Sequence, residues 1–221
     1  MVVGLSTLGC SQRNRLADDI GTPLIVAVAP VLNFSNRSDW DPVRVTDLVA
    51  SELTSLPGYL VVPVNRVRAM LELTGRSAVT TPQDALELAA QVGADATLVA
   101  AVTEYDPYEP ITIGWTLQWY ERRENPQPTQ TGEMQPLAPM LSGDVVLPAW
   151  QFQHVYCAAD EQTRRDVRRL AQDRPGYDSP HDWKTHLYSQ ERFIRSSIRS
   201  AFESISTAAA RAVPVGDEAL R

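Results

Sequence analysis

The hydrophobic positions of this chain fall into alternating short runs of strand character and longer stretches of helical period. Leu24-Ile25-Val26-Ala27-Val28-Ala29-Pro30-Val31-Leu32 is almost uninterrupted and rich in β-branched residues. That pattern predicts a strand buried on both faces of an α/β sheet. After the polar run Asn33 to Asp39, Asp41-Pro42 opens a helix, with aspartate as N-cap and proline at the first helical position. Val45, Leu48, Val49, Leu53 and Leu56 share one face of it, and Pro57-Gly58 ends it. Tyr59 to Val64 predicts a second short strand, and Val67, Met70, Leu71 and Leu73 a short helix ending at Gly75. Thr81-Pro82-Gln83-Asp84 is the capped start of a third helix, which Gly93 closes. Ala96 to Thr103 predicts a third buried strand. Beyond the turn Asp106-Pro107-Tyr108-Glu109-Pro110, Ile111 to Tyr120 alternates apolar and mostly polar residues, the period of a strand with one face buried.

From Arg122 to Ser142 the residues turn to Pro, Gln, Thr and Gly, which reads as a loop between strands rather than a domain linker. Asp144 to Tyr156 resumes strand character. Asp160 caps an arginine-rich helix over Glu161 to Ala171, and a long amphipathic helix is predicted from about His186 to Arg211, with Ile194, Ile198, Ala201, Phe202 and Ile205 as its apolar stripe. The fold class that follows is α/β: a single mixed β-sheet flanked by helices, with a β-α-β-α-α-β-β core, a further strand and two C-terminal helices. The expected organisation is a signal remnant and tether over 1–21, an α/β domain with a helical C-terminal extension over 22–212, and a loose tail over 213–221.

The chain has 221 residues, enough to bury a full core. Its net charge of −7 lacks the basic footprint that nucleic-acid binding needs. No segment approaches the ~20 apolar residues that span a bilayer as a helix. Membrane attachment is instead expected at Cys10. Leu5-Ser6-Thr7-Leu8-Gly9-Cys10, followed by Ser11-Gln12-Arg13, resembles the end of a bacterial lipoprotein signal, in which the chain is cut before a lipid-bearing cysteine. The residues before Cys10 are few and include no Lys or Arg, short of the basic and apolar regions of an export signal, so the start is expected to lie upstream. The alternative is a cytosolic chain with an apolar N-terminus. The two cysteines, Cys10 and Cys157, form no disulfide framework, and no CxxC or Cys/His spacing suggests a metal.

One further pattern is more specific. Val26-Ala27-Val28-Ala29-Pro30 with Asn33-Phe34-Ser35-Asn36, the helix to Glu52-Leu53, the strand at Val61-Val62, and Gly93-Ala94-Asp95-Ala96-Thr97-Leu98-Val99 running into Val102-Thr103-Glu104-Tyr105 together resemble one α/β domain. It is the domain of the LpoB, CsgG and TolB-N-terminal-domain-like family of bacterial envelope proteins, and the resemblance spans about residues 22–121. It implies the same fold and a role as a scaffold or adaptor, since such proteins bind peptidoglycan synthases, assemble secretion rings or dock partners. Fold does not fix function, and residues 145–212 have no counterpart in the resemblance.

Catalytic signatures are weak. His154 and Cys157 are three apart on an expected strand, so they point to opposite faces. His181-Asp182-Trp183-Lys184-Thr185-His186 has no zinc spacing. Asp39, Asp41 and Asp47 near a strand end are accounted for by capping and solvation, and no GxSxG, Walker or GxGxxG motif occurs. No catalytic residue, metal or cofactor is therefore assigned. Three surfaces suit binding. Tyr105, Asp106, Tyr108 and Glu109 lie on a turn stiffened by Pro107 and Pro110, and tyrosines there lose little rotamer entropy on contact. The other reading folds those tyrosines over the core edge. Trp115 and Trp119 share one strand face, as core or as a strand entering a bilayer or a neighbouring subunit. Arg165 and Arg169, with Arg164 and Arg168, give a helix a basic face, and Arg192, Arg195 and Arg199 do so for the last helix. These are solvated, or they meet anionic headgroups or an acidic partner.

The function expected is a membrane-anchored envelope lipoprotein, facing the periplasm from the outer membrane. It is not an enzyme and acts as a protein-interaction and assembly module. Its partners are an unidentified envelope protein and the membrane through the lipid on Cys10, with no nucleic acid; a homo-oligomer is left open. The alternatives are a ring-forming secretion subunit like CsgG and a soluble enzyme of unknown type.

Overall fold

A computed structural model describes residues 23–122, 146–172 and 182–212, with side chains to residue 205 in the last stretch. The expected tether over 1–21, with Cys10, and the expected tail over 213–221 lie outside these residues, as does all but the first residue of the loop expected from Arg122 to Ser142.

The strand expected over Leu24 to Leu32 is two strands, β1 (Leu24–Val28) and β2 (Leu32–Asn33), separated at Pro30. Proline has no N–H for the ladder. Ala29 N still donates to Leu98 O at 2.9 Å, but Val31 N turns away to Thr46 Oγ1 at 2.9 Å. Phe34 N rejoins the sheet at Val102 O, 2.8 Å. Helix α1 (Pro42–Thr54) begins as its sequence dictates, with Asp41 Oδ1 accepting from Val43 N at 2.9 Å. Strand β3 (Tyr59–Val61) and helix α2 (Val64–Leu73) follow. Helix α3 (Pro82–Val92) starts from a reciprocal Thr81–Asp84 capping box and ends at Gly93 with φ 72°. Then come β4 (Ala96–Asp106), β5 (Thr112–Glu121), β6 (Trp150–Cys157) and α4 (Glu161–Gln172). A 3-10 turn over Asp182–Lys184 leads into α5 (Thr185–Tyr188) and α6 (Gln190–Ala212). The continuous helix expected from His186 is thus broken at Ser189, whose backbone is extended (φ −94°, ψ 117°). Phe193 N donates to Ser189 O as α6 begins.

The strands form one mixed sheet in the order β3-β1-β4-β5-β6, with β2 beside β4. β3, β1 and β4 are parallel; β5 and β6 are antiparallel to their neighbours. Alternation along the strands makes two cores. On one face Val26, Leu98, Val102, Trp115 and Leu117 pack against Val49 and Leu53 of α1 and Phe193 and Ile198 of α6. On the other, Ala27, Ala29 and Val99 pack against Val67, Leu88 and Ala89 of α2 and α3. Helices α1 and α6 are also joined by ion pairs. Arg195 reaches the buried Glu52 carboxylate at 3.1 Å, and Arg44 pairs with Glu191. The Arg44 hydrogen bond, with Arg195 assisting, holds the Glu191 carboxyl below its ordinary range.

The sheet has two ends. The described chain enters at the start of β1, beside the start of β4. Both strands run from there to the other end, where β4 turns into β5. At 11 residues β4 is about 35 Å long. Among the described residues no helix is long and apolar enough to cross a membrane.

Candidate functional site

The turn between β4 and β5 is aimed by an irregularity just below it. Val102 pairs with Trp115 and Glu104 with Gly114, so Thr103 is an extra residue on β4. Such a bulge shifts which side chains face each side of the sheet. A glycine is required opposite it: a Cβ on Gly114 would lie 2.6 Å from Thr103 Oγ1 and 3.1 Å from Glu104 Cβ. Below the bulge the even-numbered Leu98, Ala100 and Val102 face the large core; above it the odd-numbered Tyr105 does so.

Of the two places expected for Tyr105, displayed on the turn or folded over the core, it therefore takes the second. It is buried, its ring lies 6.2 Å from Trp40, and its hydroxyl donates to Gln190 Oε1 at 3.3 Å. Burial pushes its phenol pKa up. The same shift turns Glu104 and Asp106 outward. Asp106 Oδ1 accepts from Tyr108 N at 3.1 Å, which fixes the turn and leaves the Tyr108 side chain 69% exposed. Glu109 is exposed beside it and precedes a cis peptide bond to Pro110.

A neighbouring loop braces this tip. Asn33 Oδ1 accepts from Ser35 N at 3.0 Å, Asn33 Nδ2 donates to Arg37 O at 2.6 Å, and Asn36 takes a left-handed backbone, φ 57°. The folded loop places the Arg37 guanidinium 5.7 Å from the Tyr108 ring centroid, within cation–π range. Asp39 pairs with Arg37 at 2.9 Å; their hydrogen bond lowers the Asp39 pKa and raises that of Arg37. Phe34 projects from this loop, 62% exposed. On the other side, Glu109, Pro110, Ala158, Arg164, Leu187 and Tyr188 line an open cleft of about 480 Å³, with Tyr188 59% exposed. Among the described residues no basic side chain pairs with Glu104 or Glu109. The tip thus combines displayed aromatic rings, unneutralised carboxylates and a cleft on a stiff support, the features of a contact surface.

The other expected site residues lie elsewhere. Of the two places expected for Trp115 and Trp119, core or contact with a partner or bilayer, the structure corrects the contact reading in favour of the core. Trp115 is wholly buried and donates from Nε1 to Ser197 Oγ at 2.9 Å. Trp119 is buried too, stacked on Trp150 at 5.4 Å and edge-on to Tyr59 at 5.9 Å. A side chain enclosed by its own fold offers a partner no surface, and β5 lies between β4 and β6 with α6 packed across it. The basic face of the C-terminal helices is largely engaged inside the molecule. Arg169 pairs with Glu203 at 2.7 Å, Arg164 and Arg168 lie 5.9 and 5.8 Å from the Trp183 ring, and Arg199 pairs with Glu203 at 3.6 Å. Arg165 donates to Gln162 at 2.8 Å and stays exposed. His154 and Cys157 occupy opposite faces of β6, and His186 Nδ1 lies 3.0 Å from Ser196 Oγ. His181 lies outside the described residues. Among the described residues no three His, Cys, Asp or Glu side chains stand together as a metal site.

Phe34, Arg37 and Tyr188 were not anticipated at this site. An aromatic isolated in the polar run 33–39 was the available sign for Phe34. Tyr188 lay inside what read as continuous helix.

An open mixed sheet with helices on both faces, and with a displayed hairpin tip, defines the class of fold as α/β. No family model matches the chain, and no curated protein does. Among solved structures it is similar to lipoprotein GNA1162 from Neisseria meningitidis, with 16% identity and a TM-score of 0.46 over 86% of this chain and 99% of that one. It is similar to LpoB of E. coli, with 18% identity and a TM-score of 0.41 over 47% of this chain, and it spans about half (52%) of that protein. The C-terminal domain of LpoB from Salmonella enterica gives 18% identity and a TM-score of 0.41 over 63% of this chain and 87% of that one. These are likenesses of fold.

Proposed function

We propose that this chain is a non-catalytic docking module of the bacterial envelope, held at the membrane by a lipid on Cys10 and binding an envelope protein through the β4–β5 tip. The observation that carries the docking half is the tip itself: Tyr108 is held exposed by a bulge, a side-chain-capped turn and a bracing loop, beside an open cleft. Its location supports the reading, because it lies at the end of the sheet opposite the chain's entry. The 13 residues between Cys10 and Leu24 span at most about 45 Å even when fully extended. The domain would stay near the membrane with its tip pointing away, and the outer membrane facing the periplasm is the site we favour. The domain boundaries of this reading are 22–212 for the folded part, with tether before and tail after.

The test compares partners recovered from solubilised native envelopes by the natural chain and by a Tyr108→Ala/Glu109→Arg double variant. Loss of one discrete protein from the variant supports docking at the tip; recovery of the same proteins by both chains contradicts it. The intact mass of the N-terminal peptide tests the anchor separately. Acylated Cys10 supports it, and an unmodified Cys10 behind Met1 removes it.

A further inference from the structure

The two outer edges of the sheet are guarded unequally. On one side β3 is only three residues long and is followed within two residues by Pro63, while Pro30 interrupts the β1–β2 line beside it. Short strands and prolines are what natural sheets use to prevent edge pairing. On the other side β6 runs for eight residues, Trp150-Gln151-Phe152-Gln153-His154-Val155-Tyr156-Cys157. It holds no proline and no Lys, Arg, Asp or Glu, and its register with β5 is unbroken. Among the described residues β5 is its only strand neighbour. The amides and carbonyls on its outer side must find water or another strand.

We propose that β6 pairs antiparallel with β6 of a second copy of this chain, about a twofold axis normal to the sheet, so that two sheets become one. The choice of a second copy rests on self-complementarity. Trp150, Phe152, His154 and Tyr156 point to the face that α6 covers, and Gln151, Gln153 and Val155 to the other. Residues opposite each other in an antiparallel pair share a face and interact through their side chains. With Gln153 opposite its own copy, Phe152 meets His154, ring against ring, and Trp150 comes opposite Tyr156, whose own ring stays enclosed in its core. Such contacts already run along the strand: His154 lies 4.6 Å from Tyr156 and 6.2 Å from Phe152. On the open face Gln151 of one copy covers the half-exposed Val155 of the other. An uncharged strand brings no like charges opposite one another when it meets itself, whereas a charged strand from another protein would find no counter-ion in it.

The test uses the full chain in two ways. Light scattering across the micromolar range should give twice the monomer mass for the natural chain. Val155→Lys, and separately Gln153→Pro, should weaken association by about tenfold or more while preserving the circular-dichroism spectrum, because the first sets an unpaired charge against the uncharged, twofold-related strand and the second removes a ladder donor. In a Cys10→Ser/Cys157→Ser background, Gln153→Cys should form a disulfide-linked dimer on mild oxidation. Gln118→Cys, inside the sheet on β5, should not. A monomer at every concentration overturns the proposal. So does a dimer that survives Val155→Lys and leaves Gln153→Cys uncrosslinked. If Gln153→Pro fails to fold, Val155→Lys and the crosslink decide.

Discussion

The β4–β5 hairpin carries five aromatic side chains, and its stem and its tip use them in opposite ways. In the stem, Trp115 is wholly buried, and Trp119 stacks on Trp150. At the tip, Tyr108 is 69% exposed although its backbone is tied down by a hydrogen bond to the Asp106 side chain. The difference lies in what faces each segment. Helix α6 covers the stem, while the tip rises beyond the sheet, where among the described residues the Asn33–Asp41 loop stands on one side and an open cleft lined by Arg164, Leu187 and Tyr188 on the other. Residue type therefore does not separate buried aromatics from displayed ones here. The bulge at Thr103 does, by turning Tyr105 into the core and leaving Tyr108 outside.

Replacing aromatics in the stem should act on stability, and replacing those at the tip on binding. The largest expected effect is that of Trp115→Ala, which empties a fully enclosed site and removes the bond to Ser197. It should cost about 3–5 kcal/mol in denaturant unfolding; a loss below about 1 kcal/mol would mean that the stem is not organised around this ring.

Next comes the alkaline limit of the same core. Burial holds the Tyr156 phenol up at about 12 against an ordinary 10, with a hydrogen bond to Ser200 acting in the opposite direction. The folded chain keeps that proton at a pH where the unfolded chain has released it. The stability is therefore complete below pH ~10 and falls by roughly 2–3 kcal/mol as pH rises toward 12. Urea unfolding followed against pH should show this fall in the natural chain and a flatter curve in Tyr156→Phe. Identical curves would remove Tyr156 as the cause.

Gly114→Ala tests the joint between stem and tip. Its added carbon meets Thr103 Oγ1 and the Glu104 backbone, so a loss of about 1–3 kcal/mol is expected. Amide exchange should quicken from Thr103 to Glu109 more than in the stem. The smallest effect is expected from Tyr108→Ala, within about 0.5 kcal/mol of the natural chain, since its ring fills no enclosed space.

Much of the fold was legible in the sequence because it is written in local signals. Asp41-Pro42 and Thr81-Pro82-Gln83-Asp84 announce helix starts, Gly93 a helix end, and Ile111 to Tyr120 a one-sided strand. What was not legible depends on partners distant in the chain. Pro30 splits a strand because Thr46 takes the next N–H. The bulge could not be read from β4 alone, since it depends on Gly114 being the residue opposite. The burial of Trp115 and Tyr105 is decided by Ser197 and Gln190, more than 80 residues away. The arginine-rich helix looked like a free basic face because Trp183 and Glu203, which engage it, lie in other elements. For the candidate site, the exposure of Tyr108 and Glu109 on a stiffened turn could be read from the sequence, while Phe34, Arg37 and Tyr188 come beside them only in three dimensions.

The most direct measurement places a photo-crosslinking amino acid at position 108 in native cells, and in parallel at position 73, where Leu73 is just as open to solvent but lies at the end of α2. The account expects one discrete crosslinked envelope protein from position 108 and none of that mass from position 73. Equal products from both positions, or a discrete product from position 73 alone, would contradict docking through the hairpin tip.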